Sequence, residues 1–290
     1  MSELPTTDTT PSMFRPGQHV RLDADGRRFS FTISKCFTPI TKSVVVLAHC
    51  DELPPSQSPA IIKIFDPRFL DDRFKMKTTR PWSLEVEAEA ARVRESRGAP
   101  LRSGWFNHSD IWRPEPETSQ GRFARAALWE EYFYVLMMEC YNAEVACYER
   151  LRALQGSTLP RLFLSGSTNP PDSRAILPPA VVLEYIPGVT LRDIEPNLLS
   201  LDLCTPLVRS IDSFAALDLF HADINHNNIL FHPPDSPVRA VVIDFGCGSI
   251  KIEGENEEDW QFTLQFAADS RRIRRLLRDK GITIADAPVE

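Results

Sequence analysis

The chain has 290 residues, of which 42% are hydrophobic and 25% are charged, and its formal net charge at pH 7 is -7. This composition is that of an ordinary globular protein with a sizeable core. The negative charge argues against a nucleic-acid-binding protein, which normally carries a basic face. The six cysteines include no C-x-x-C pair, so we expect reduced thiols and no disulfide framework.

The first 18 residues are rich in Ser, Thr and Pro, and they predict a disordered leader without the apolar segment of a secretory signal. No apolar run in the sequence approaches the roughly 18 residues that a membrane span requires. We therefore expect an intracellular protein without a membrane partner. We expect it in the cytoplasm, with a nuclear location left open.

Three β-branched, apolar runs follow the leader, at residues 29–33, 43–49 and 60–65. Their lengths and the turn residues between them predict an antiparallel meander. Residues 66–121 break this pattern with Gly, Pro and Ser, and a structureless loop of this length would be atypical of a compact domain. We interpret 66–121 as a partly ordered insertion with one helix at Leu84–Arg97.

The strongest helical periodicity lies at residues 124–154, where large apolar side chains recur at three- and four-residue steps. The shorter signals after it predict strands at 161–164 and 181–185, helices at 190–199 and 205–219, a hairpin of 229–232 with 241–243, and a closing basic helix at 260–280. This order of elements indicates an α+β fold in two lobes: strands with one long helix come first, then a Pro-Gly connector, then further helices. The lobes would meet at a cleft near residues 184–190.

Two short polar segments carry the residues best suited to chemistry. His221-Ala222-Asp223 leads into an Asn-rich turn that ends at Asn228, and Asp244-Phe245-Gly246 follows the apolar run 241–243. An aspartate such as Asp223 can orient a substrate hydroxyl or accept its proton. The side-chain oxygens of Asn228 and Asp244 are of the type that magnesium prefers. Each segment alone is also explained by turn chemistry, since Asn and Asp favour turns.

Together, the two segments resemble the H-R-D-L-x-x-x-N and D-F-G motifs of protein kinases. Asp223 and Asp244 are separated by 21 residues (244 − 223 = 21), as this resemblance requires. The chain is similar, over roughly residues 29–280, to the protein-kinase-like superfamily, and in detail to its fungal members and the aminoglycoside and choline kinase branch. The resemblance implies ATP and Mg²⁺ as cofactors, with Asp223 as the catalytic residue and Asn228 and Asp244 as metal ligands.

The resemblance also implies a two-lobed, kinase-like fold after the leader 1–18. Residues 19–187 would form an N-lobe with an antiparallel sheet, one long helix and the insertion 66–121. Residues 188–290 would form a short, mainly helical C-lobe. We expect this lobe to be truncated, because only 46 residues follow Asp244 (290 − 244 = 46) and they contain no A-P-E motif.

The resemblance assigns four further residues to ATP binding. Lys63, in the V-A-I-K-like run 60–64, would contact the phosphates. A charge among apolar strand residues needs a partner, which favours this role. The alternative is an exposed lysine on a strand. Glu144 is the expected partner, because it lies on the apolar stripe of the long helix and begins an E-x-x-x-Y-x-x-L segment. A position at the edge of that stripe is the alternative. The hinge-like segment 181–188 implies main-chain contacts from Glu184 and Ile186 to adenine.

Several features of protein kinases are missing. The loop 36–41 between the first two strands has no glycine, so phosphates would be held more loosely or by threonine side chains. Ala222 replaces the arginine of the motif, which argues against control by a phosphorylated activation loop. Asn225 stands where Ser/Thr protein kinases usually carry a lysine. The acidic run 253–259 is either a solvated loop or a negatively charged surface that attracts basic substrates.

The sequence thus predicts an ATP- and magnesium-dependent phosphotransferase that moves the γ-phosphate to a hydroxyl of a protein or small-molecule acceptor. The missing arginine and A-P-E motif favour a small or atypical acceptor, whereas the general resemblance favours a protein. The alternative is a pseudokinase, a nucleotide-binding scaffold without turnover, which the missing glycines favour. A third interpretation is an interaction protein whose functional part is the insertion 66–121.

Overall fold

The computed structural model describes residues 10–75, 81–98, 100–170 and 172–285. The chain divides into two compact units: unit 1 comprises Met1–Tyr141 and Phe163–Leu183, and unit 2 comprises Asn142–Leu162 and Glu184–Glu290. Antiparallel strands and helices occur in both units, which confirms the predicted α+β class. The predicted lobe limits, 19–187 and 188–290, differ from this division and stay a prediction as domain boundaries.

Unit 1 is built on a closed barrel of six strands. They are β1 (His19–Ala24), β2 (Arg27–Phe37), β3 (Val44–His49), β4 (Ala60–Ile64), β5 (Leu162–Thr168) and β6 (Pro179–Glu184). Their order is β1-β2-β3-β4-β6-β5, and an antiparallel pairing of β5 with β1 closes the ring. The first four strands form the predicted antiparallel meander, extended by β1, which was not predicted.

The barrel interior follows from the two-residue period of its strands. On β2, the side chains of Phe29, Phe31 and Ile33 are buried and alternate with exposed neighbours. The seam between β1 and β5 also depends on a glycine. A Cβ atom at Gly166 would lie 2.2 Å from the carbonyl oxygen of Asp23, so only a residue without a side chain allows this approach.

The predicted disordered leader is only partly covered by the described residues. Residues 1–9 lie outside them. Ser12–Phe14 forms a 3₁₀ turn, and the buried ring of Phe14 packs edge-on against Phe69 with 5.4 Å between ring centroids. The end of the predicted leader therefore contributes an aromatic side chain to the core of unit 1.

The insertion contains α1 (Asp72–Lys75), α2 (Leu84–Arg97) and 3₁₀ turns at Ser103–His108 and Asp110–Trp112. Helix α2 has the predicted bounds. The Ser83 hydroxyl accepts a hydrogen bond from the Val86 N–H at its start, and Gly98, with φ of 73°, ends it. Residues 76–80 and 99 of the insertion lie outside the described part of the chain.

Buried ion pairs attach the insertion to other segments of unit 1. The Arg174 side chain, from the segment between β5 and β6, is fully buried and donates to Asp66 at 2.8 Å and to Glu87 of α2 at 2.5 Å. Arg73 donates two hydrogen bonds of 2.7 Å to Glu130. A buried charge without a partner is costly, so these pairs dock the insertion firmly.

Helix α3 (Ser119–Arg150) begins in unit 1 and ends in unit 2. It starts before the predicted residue 124, and the last predicted residues form a 3₁₀ turn at Arg152–Leu154. No helix in the described ranges has the length and apolarity needed to cross a membrane.

The described part of unit 2 adds five short strands and three helices. They are β7 (Val189–Thr190), α4 (Leu201–Ala216), β8 (Leu219–Phe220), β9 (Ile229–His232), β10 (Arg239–Val242), β11 (Ser249–Ile250), α5 (Glu257–Ala267) and α6 (Asp269–Asp279). One sheet has the order β10-β9-β7, and β11 pairs with β8. The predicted hairpin is confirmed, since β9 and β10 are antiparallel with Ile229 opposite Val242.

One helix prediction in unit 2 was wrong. Residues 190–199 are not helical: Thr190 pairs with Leu230 on β9, and only Pro196–Leu198 forms a 3₁₀ turn. Gly188 makes the pairing possible, because a Cβ atom there would lie 2.5 Å from the carbonyl oxygen of Phe231. Strand pairing between distant segments thus outweighs local helical propensity.

The predicted closing helix 260–280 is two helices, broken at Ala268, which has φ of 55°. The break has a packing reason. In one continuous helix, at about 100° per residue, Trp260 and Ile273 would point about 140° apart. Because the chain turns at Ala268, both side chains are buried.

Candidate functional site

The open end of the β9–β10 hairpin holds two of the predicted site residues. Asn228 directly precedes β9, and Ile243 directly follows β10. The Ile243 N–H donates a hydrogen bond of 2.9 Å to the carbonyl oxygen of Asn228, which extends the strand pairing by one step. Asp244, the next residue, therefore leaves the sheet at the same end as Asn228.

His221 connects the Asp223 loop to this end of the hairpin. Its ring Nε2 lies 2.9 Å from the carbonyl oxygen of Ile243, and its Nδ1 lies 3.2 Å from the backbone nitrogen of Asp223. Burial lowers the pKa of His221, although the carboxylates of Asp269, Asp244 and Asp223 favour the charged form. A neutral ring that donates from Nε2 and accepts at Nδ1 satisfies both contacts.

The carboxylate of Asp223 is oriented by two amide groups. The Asn225 Nδ2 donates to its Oδ1 at 3.0 Å, and the Asn228 Nδ2 donates to its Oδ2 at 3.0 Å. Both amide groups also donate to the Asp223 carbonyl oxygen, at 3.1 Å and 2.9 Å. The side chain of Asp223 is half-buried, so it is held in place and still reachable from solvent. The structure thus brings Asp223 and Asn228 together, as the sequence motif predicts.

Asp244 has an unusual backbone conformation. Its φ is 69°, in the left-handed region that L residues adopt rarely and that is common at functional sites. The next residue anchors it, because the buried Phe245 ring lies 4.6 Å from the His221 ring and 5.5 Å from the Tyr148 ring, measured between centroids. This packing stabilises the backbone conformation that Asp244 requires.

Asp269 is a site residue that the sequence did not reveal. This buried residue is the first of α6, and its Oδ2 accepts a hydrogen bond from the His221 N–H at 2.6 Å. Its Oδ1 accepts one from the Ala222 N–H at 3.1 Å, and Ala222 has φ of 63°. Asp269 thereby holds the loop that carries Asp223. The sequence predicts one helix over 260–280, in which Asp269 is an ordinary mid-helix residue, so no sequence signal identified it.

Lys63 and Glu144 are both buried, but they belong to different units. Lys63 lies on β4 in unit 1, and its ammonium group is 5.5 Å from the centroid of the Phe65 ring. Glu144 lies on α3 in unit 2. Their pairing and their role in ATP binding stay predictions.

Glu184 is tied to its neighbours in unit 2. Its N–H donates to the Arg161 carbonyl oxygen at 2.8 Å, and its carboxylate accepts from the Arg161 N–H at 3.0 Å and from Arg239 at 2.7 Å. Burial raises the pKa of Glu184, but these hydrogen bonds lower it by more, so its pKa lies below the ordinary value. The Ile186 carbonyl accepts from the Gly188 N–H at 2.8 Å. Contacts of Glu184 and Ile186 with adenine stay predictions, and Glu184 has already committed its N–H.

The oxygens of Asn228 and Asp244 suit a magnesium ion that arrives with phosphates. Within the described ranges, no three His, Cys, Asp or Glu side chains lie close enough to hold a metal ion by themselves. The Asn228 Nδ2 is committed to Asp223, which leaves its Oδ1 as an acceptor. Because protein-bound Mg²⁺ commonly takes one or two protein oxygens plus phosphates and water, this donor set fits it.

Comparisons with known proteins leave the family open. No protein-family model and no curated protein matches the sequence. Among solved structures, the Rio2 kinase of Chaetomium thermophilum, in an ADP/Mg²⁺-phosphoaspartate complex, is similar with a TM-score of 0.44 and 17% sequence identity. The match covers 88% of this chain and 59% of that chain, so this chain spans less than two thirds of the other protein. A TM-score of this size assigns neither a fold family nor a function.

Proposed function

We propose that the protein is an ATP- and magnesium-dependent phosphotransferase that moves the γ-phosphate to a hydroxyl of a protein or small-molecule acceptor. One observation carries the proposal: the His221 ring joins the backbone of Asp223 to that of Ile243. Two segments that resemble kinase motifs are thereby linked in three dimensions, with Asp223, Asn228 and Asp244 on them.

Asp223 is assigned the role of orienting the acceptor hydroxyl and receiving its proton. The two amide donors hold its carboxylate in one orientation, which is the kind of positioning that phosphoryl transfer depends on. Asn228 and Asp244 are assigned to the metal. When bound with ATP, magnesium supplies positive charge that neutralises the phosphates.

Four residues are assigned to the nucleotide on the resemblance to kinases. Lys63 contacts the phosphates, Glu144 positions Lys63, and the main chains of Glu184 and Ile186 contact adenine. The burial of Lys63 and Glu144 supports this assignment, because charged residues are rarely buried without a specific role.

A nucleotide-binding scaffold without turnover is the second candidate. The loop at residues 36–41, which has no glycine, favours it, because glycine normally lets the backbone approach phosphates closely. An interaction protein that uses the insertion is a weaker candidate, supported by the half-exposed rings of Trp105 and Trp112.

ATP turnover and nucleotide binding, measured on the same preparations, separate these candidates. We expect wild type to hydrolyse or transfer the γ-phosphate and Asp223→Ala to lose this activity while keeping nucleotide binding. The control is Asp235→Ala, an exposed residue of the β9–β10 loop, which should keep full activity. Binding is read as stabilisation by ATP with and without Mg²⁺, about 2.7 kcal/mol at a hundredfold excess over Kd. Equal background turnover of ATP in wild type and Asp223→Ala would overturn the proposal that the protein is an enzyme. Magnesium-dependent stabilisation by ATP without turnover would favour the nucleotide-binding scaffold.

A further inference from the structure

Helix α6 carries an unusual concentration of positive charge. It has five arginines in 11 residues, in a chain whose net charge is -7. Arg274 is buried and donates two hydrogen bonds of 2.7 Å to Asp212. The other four are exposed and form what we call the arginine face: Arg271, Arg272, Arg275 and Arg278.

The positive charge of the arginine face is not balanced within the described part of the fold. Within the described ranges, none of its four guanidinium groups forms an ion pair with a carboxylate. Spacings of three and four residues put the four side chains on one side of the helix, where like charges destabilise it. From Arg271 to Arg278 they extend over about 10 Å.

Two arginines of the face are held by backbone carbonyls. Arg271 donates to the carbonyl oxygen of Gln265 at 2.9 Å. Arg272 donates to the carbonyl oxygen of Ala222 at 3.2 Å, and Ala222 is bonded directly to Asp223. These contacts orient the guanidinium groups without neutralising them. They also connect the arginine face to the loop of the candidate active site.

A cavity of about 370 Å³ opens at the N-terminal end of α6. It is lined mainly by apolar side chains of α4, β8 and α5, among them Ile211, Phe214, Phe220 and Leu264. Arg271 lines the same cavity, and so do Asp212 and Asp269. The two carboxylates are already bonded to Arg274 and to the backbone of His221 and Ala222, so Arg271 supplies the unbalanced charge beside the apolar wall. The volume lies at the lower end of the range of ligand pockets, about 300–1,000 Å³, and leaves room for one apolar side chain such as leucine.

We propose that the arginine face and this cavity together bind an acidic segment of a polypeptide that inserts one apolar side chain into the cavity. Four charges spread along a helix require several anionic groups in a row, which an acidic segment supplies and one small molecule does not. Because Arg272 contacts Ala222, a bound segment lies next to the Asp223 loop. Resting on the proposed function, this makes the acceptor a protein whose hydroxyl lies in an acidic context.

The surroundings of α6 favour a polypeptide over nucleic acid or membrane. The first turn of α5 exposes Glu257, Glu258 and Asp259, which limits the basic surface to the length of α6 and fits a short acidic segment better than the long phosphate backbone of a nucleic acid. A helix that lies on a membrane needs an apolar face toward the lipid. The apolar residues Ile273 and Leu277 of α6 are instead buried in the protein, and the exposed rings of Phe262 and Phe266 lie on α5, not on the arginine face.

The docking site is tested by the binding of a labelled peptide in which glutamates surround one leucine. This measurement does not require catalytic activity. We expect wild type to bind it, and Arg271→Glu with Arg275→Glu to weaken binding about tenfold or more. The matched control is Arg209→Glu, an exposed arginine of α4 outside the cavity lining, which should leave the Kd unchanged. Leucine to alanine in the peptide should also weaken binding about tenfold. If the charge-reversed protein does not fold, the same comparison is made with Arg271→Gln and Arg275→Gln.

The docking proposal is overturned by an equal Kd for wild type and the α6 variants. It is also overturned if single-stranded RNA or vesicles of anionic lipid bind the arginine face more tightly than the peptide. A parallel assay measures ATP turnover with serine peptides in acidic or basic contexts. If the peptide binds in a way that depends on α6 but no ATP is turned over, the docking site is supported and the proposed phosphotransferase activity is contradicted. Turnover that is equal for acidic and basic peptides, in wild type and variants alike, supports the phosphotransferase and overturns the acidic context proposed for its acceptor.

Discussion

The Asp269 carboxylate lies 2.6 Å from the backbone nitrogen of His221 and accepts its hydrogen bond, while its second oxygen serves Ala222. One side chain on α6 therefore satisfies two consecutive N–H groups of the loop that carries Asp223. The same helix contributes Arg272, which contacts the Ala222 carbonyl oxygen. Helix α6 thus fixes the loop in two ways: Asp269 accepts from the N–H groups of His221 and Ala222, and Arg272 donates to the Ala222 carbonyl oxygen.

Replacing Asp269 by Ala should destabilise the protein and reduce phosphoryl transfer. The N–H of the buried His221 would lose its acceptor, at about 1–3 kcal/mol, and the N–H of the half-buried Ala222 would lose its acceptor at a smaller cost. The free energy of unfolding in urea measures the effect, with Asp279→Ala, an exposed residue at the other end of α6, as control. Equal unfolding free energies for the two variants would contradict the role assigned to Asp269.

Replacing Tyr148 by Phe should leave stability unchanged or raise it by up to about 1 kcal/mol. The Tyr148 hydroxyl is buried and has no hydrogen-bond partner in the described part of the chain. Burial, together with the nearby carboxylates of Glu144 and Asp244, raises the pKa of Tyr148 well above its ordinary value, so the hydroxyl stays neutral. Thermal and urea unfolding measure the change. A clear loss of stability would mean that the hydroxyl has a partner, such as a buried water molecule.

The Arg274–Asp212 pair should make part of the stability depend on acidic pH. Burial raises the pKa of Asp212, but hydrogen bonds from Arg274 and Ser270 lower it by more, so the pKa lies below its ordinary value. The pair therefore stabilises the fold fully above the ordinary carboxyl pKa of about 4 and loses this effect as the pH falls through the folded value. Arg274→Met should cost about 1.5–3 kcal/mol at pH 7.

Urea unfolding of wild type and Arg274→Met across acidic pH measures this dependence. The difference between them should shrink as the pH falls below about 4. Arg275→Met, its exposed neighbour, is the control and should differ little from wild type at any pH. A difference that stays constant down to acid unfolding would assign the loss to packing instead of charge.

Arg174→Met should loosen the insertion. The substitution leaves the buried Glu87 carboxylate without a cation among the described residues, whereas Asp66 keeps its ion pair with Arg68, and it should cost about 3 kcal/mol. Limited proteolysis should then cut the insertion faster than in wild type, and urea unfolding should show the loss. Arg92→Met removes only an exposed, water-screened pair with Glu89 and should leave the unfolding free energy nearly unchanged. Similar results for the two variants would rule out the buried pairs as the attachment.

The features predicted from sequence are those set by neighbouring residues. The bounds of α2 follow from a serine cap and a C-terminal glycine, and the β9–β10 hairpin follows from two apolar runs around a turn. The proximity of Asp223 and Asn228 also follows from a short loop, in which the two side chains bond to each other. Local chemistry is sufficient in each of these cases.

The features that could not be predicted depend on residues far apart in sequence. The pairing of Leu22 with Thr168 closes the barrel, and no local pattern indicates that these strands meet. Asp269 reaches His221 only because the chain turns at Ala268 and starts a new helix. Tertiary contacts of this kind select among local conformations of similar energy, which a periodicity along one segment does not distinguish.

The closed ring of strands in unit 1 also bears on aggregation. A strand at the edge of a sheet exposes N–H and C=O groups that can pair with another molecule. Within the described residues, the ring leaves none of its six strands in that position. Any side chain at Gly166 would press against the Asp23 carbonyl oxygen and part β5 from β1, creating two such edges at once. Insoluble protein, more than a defective catalytic group, would then be the first sign of a substitution at this seam.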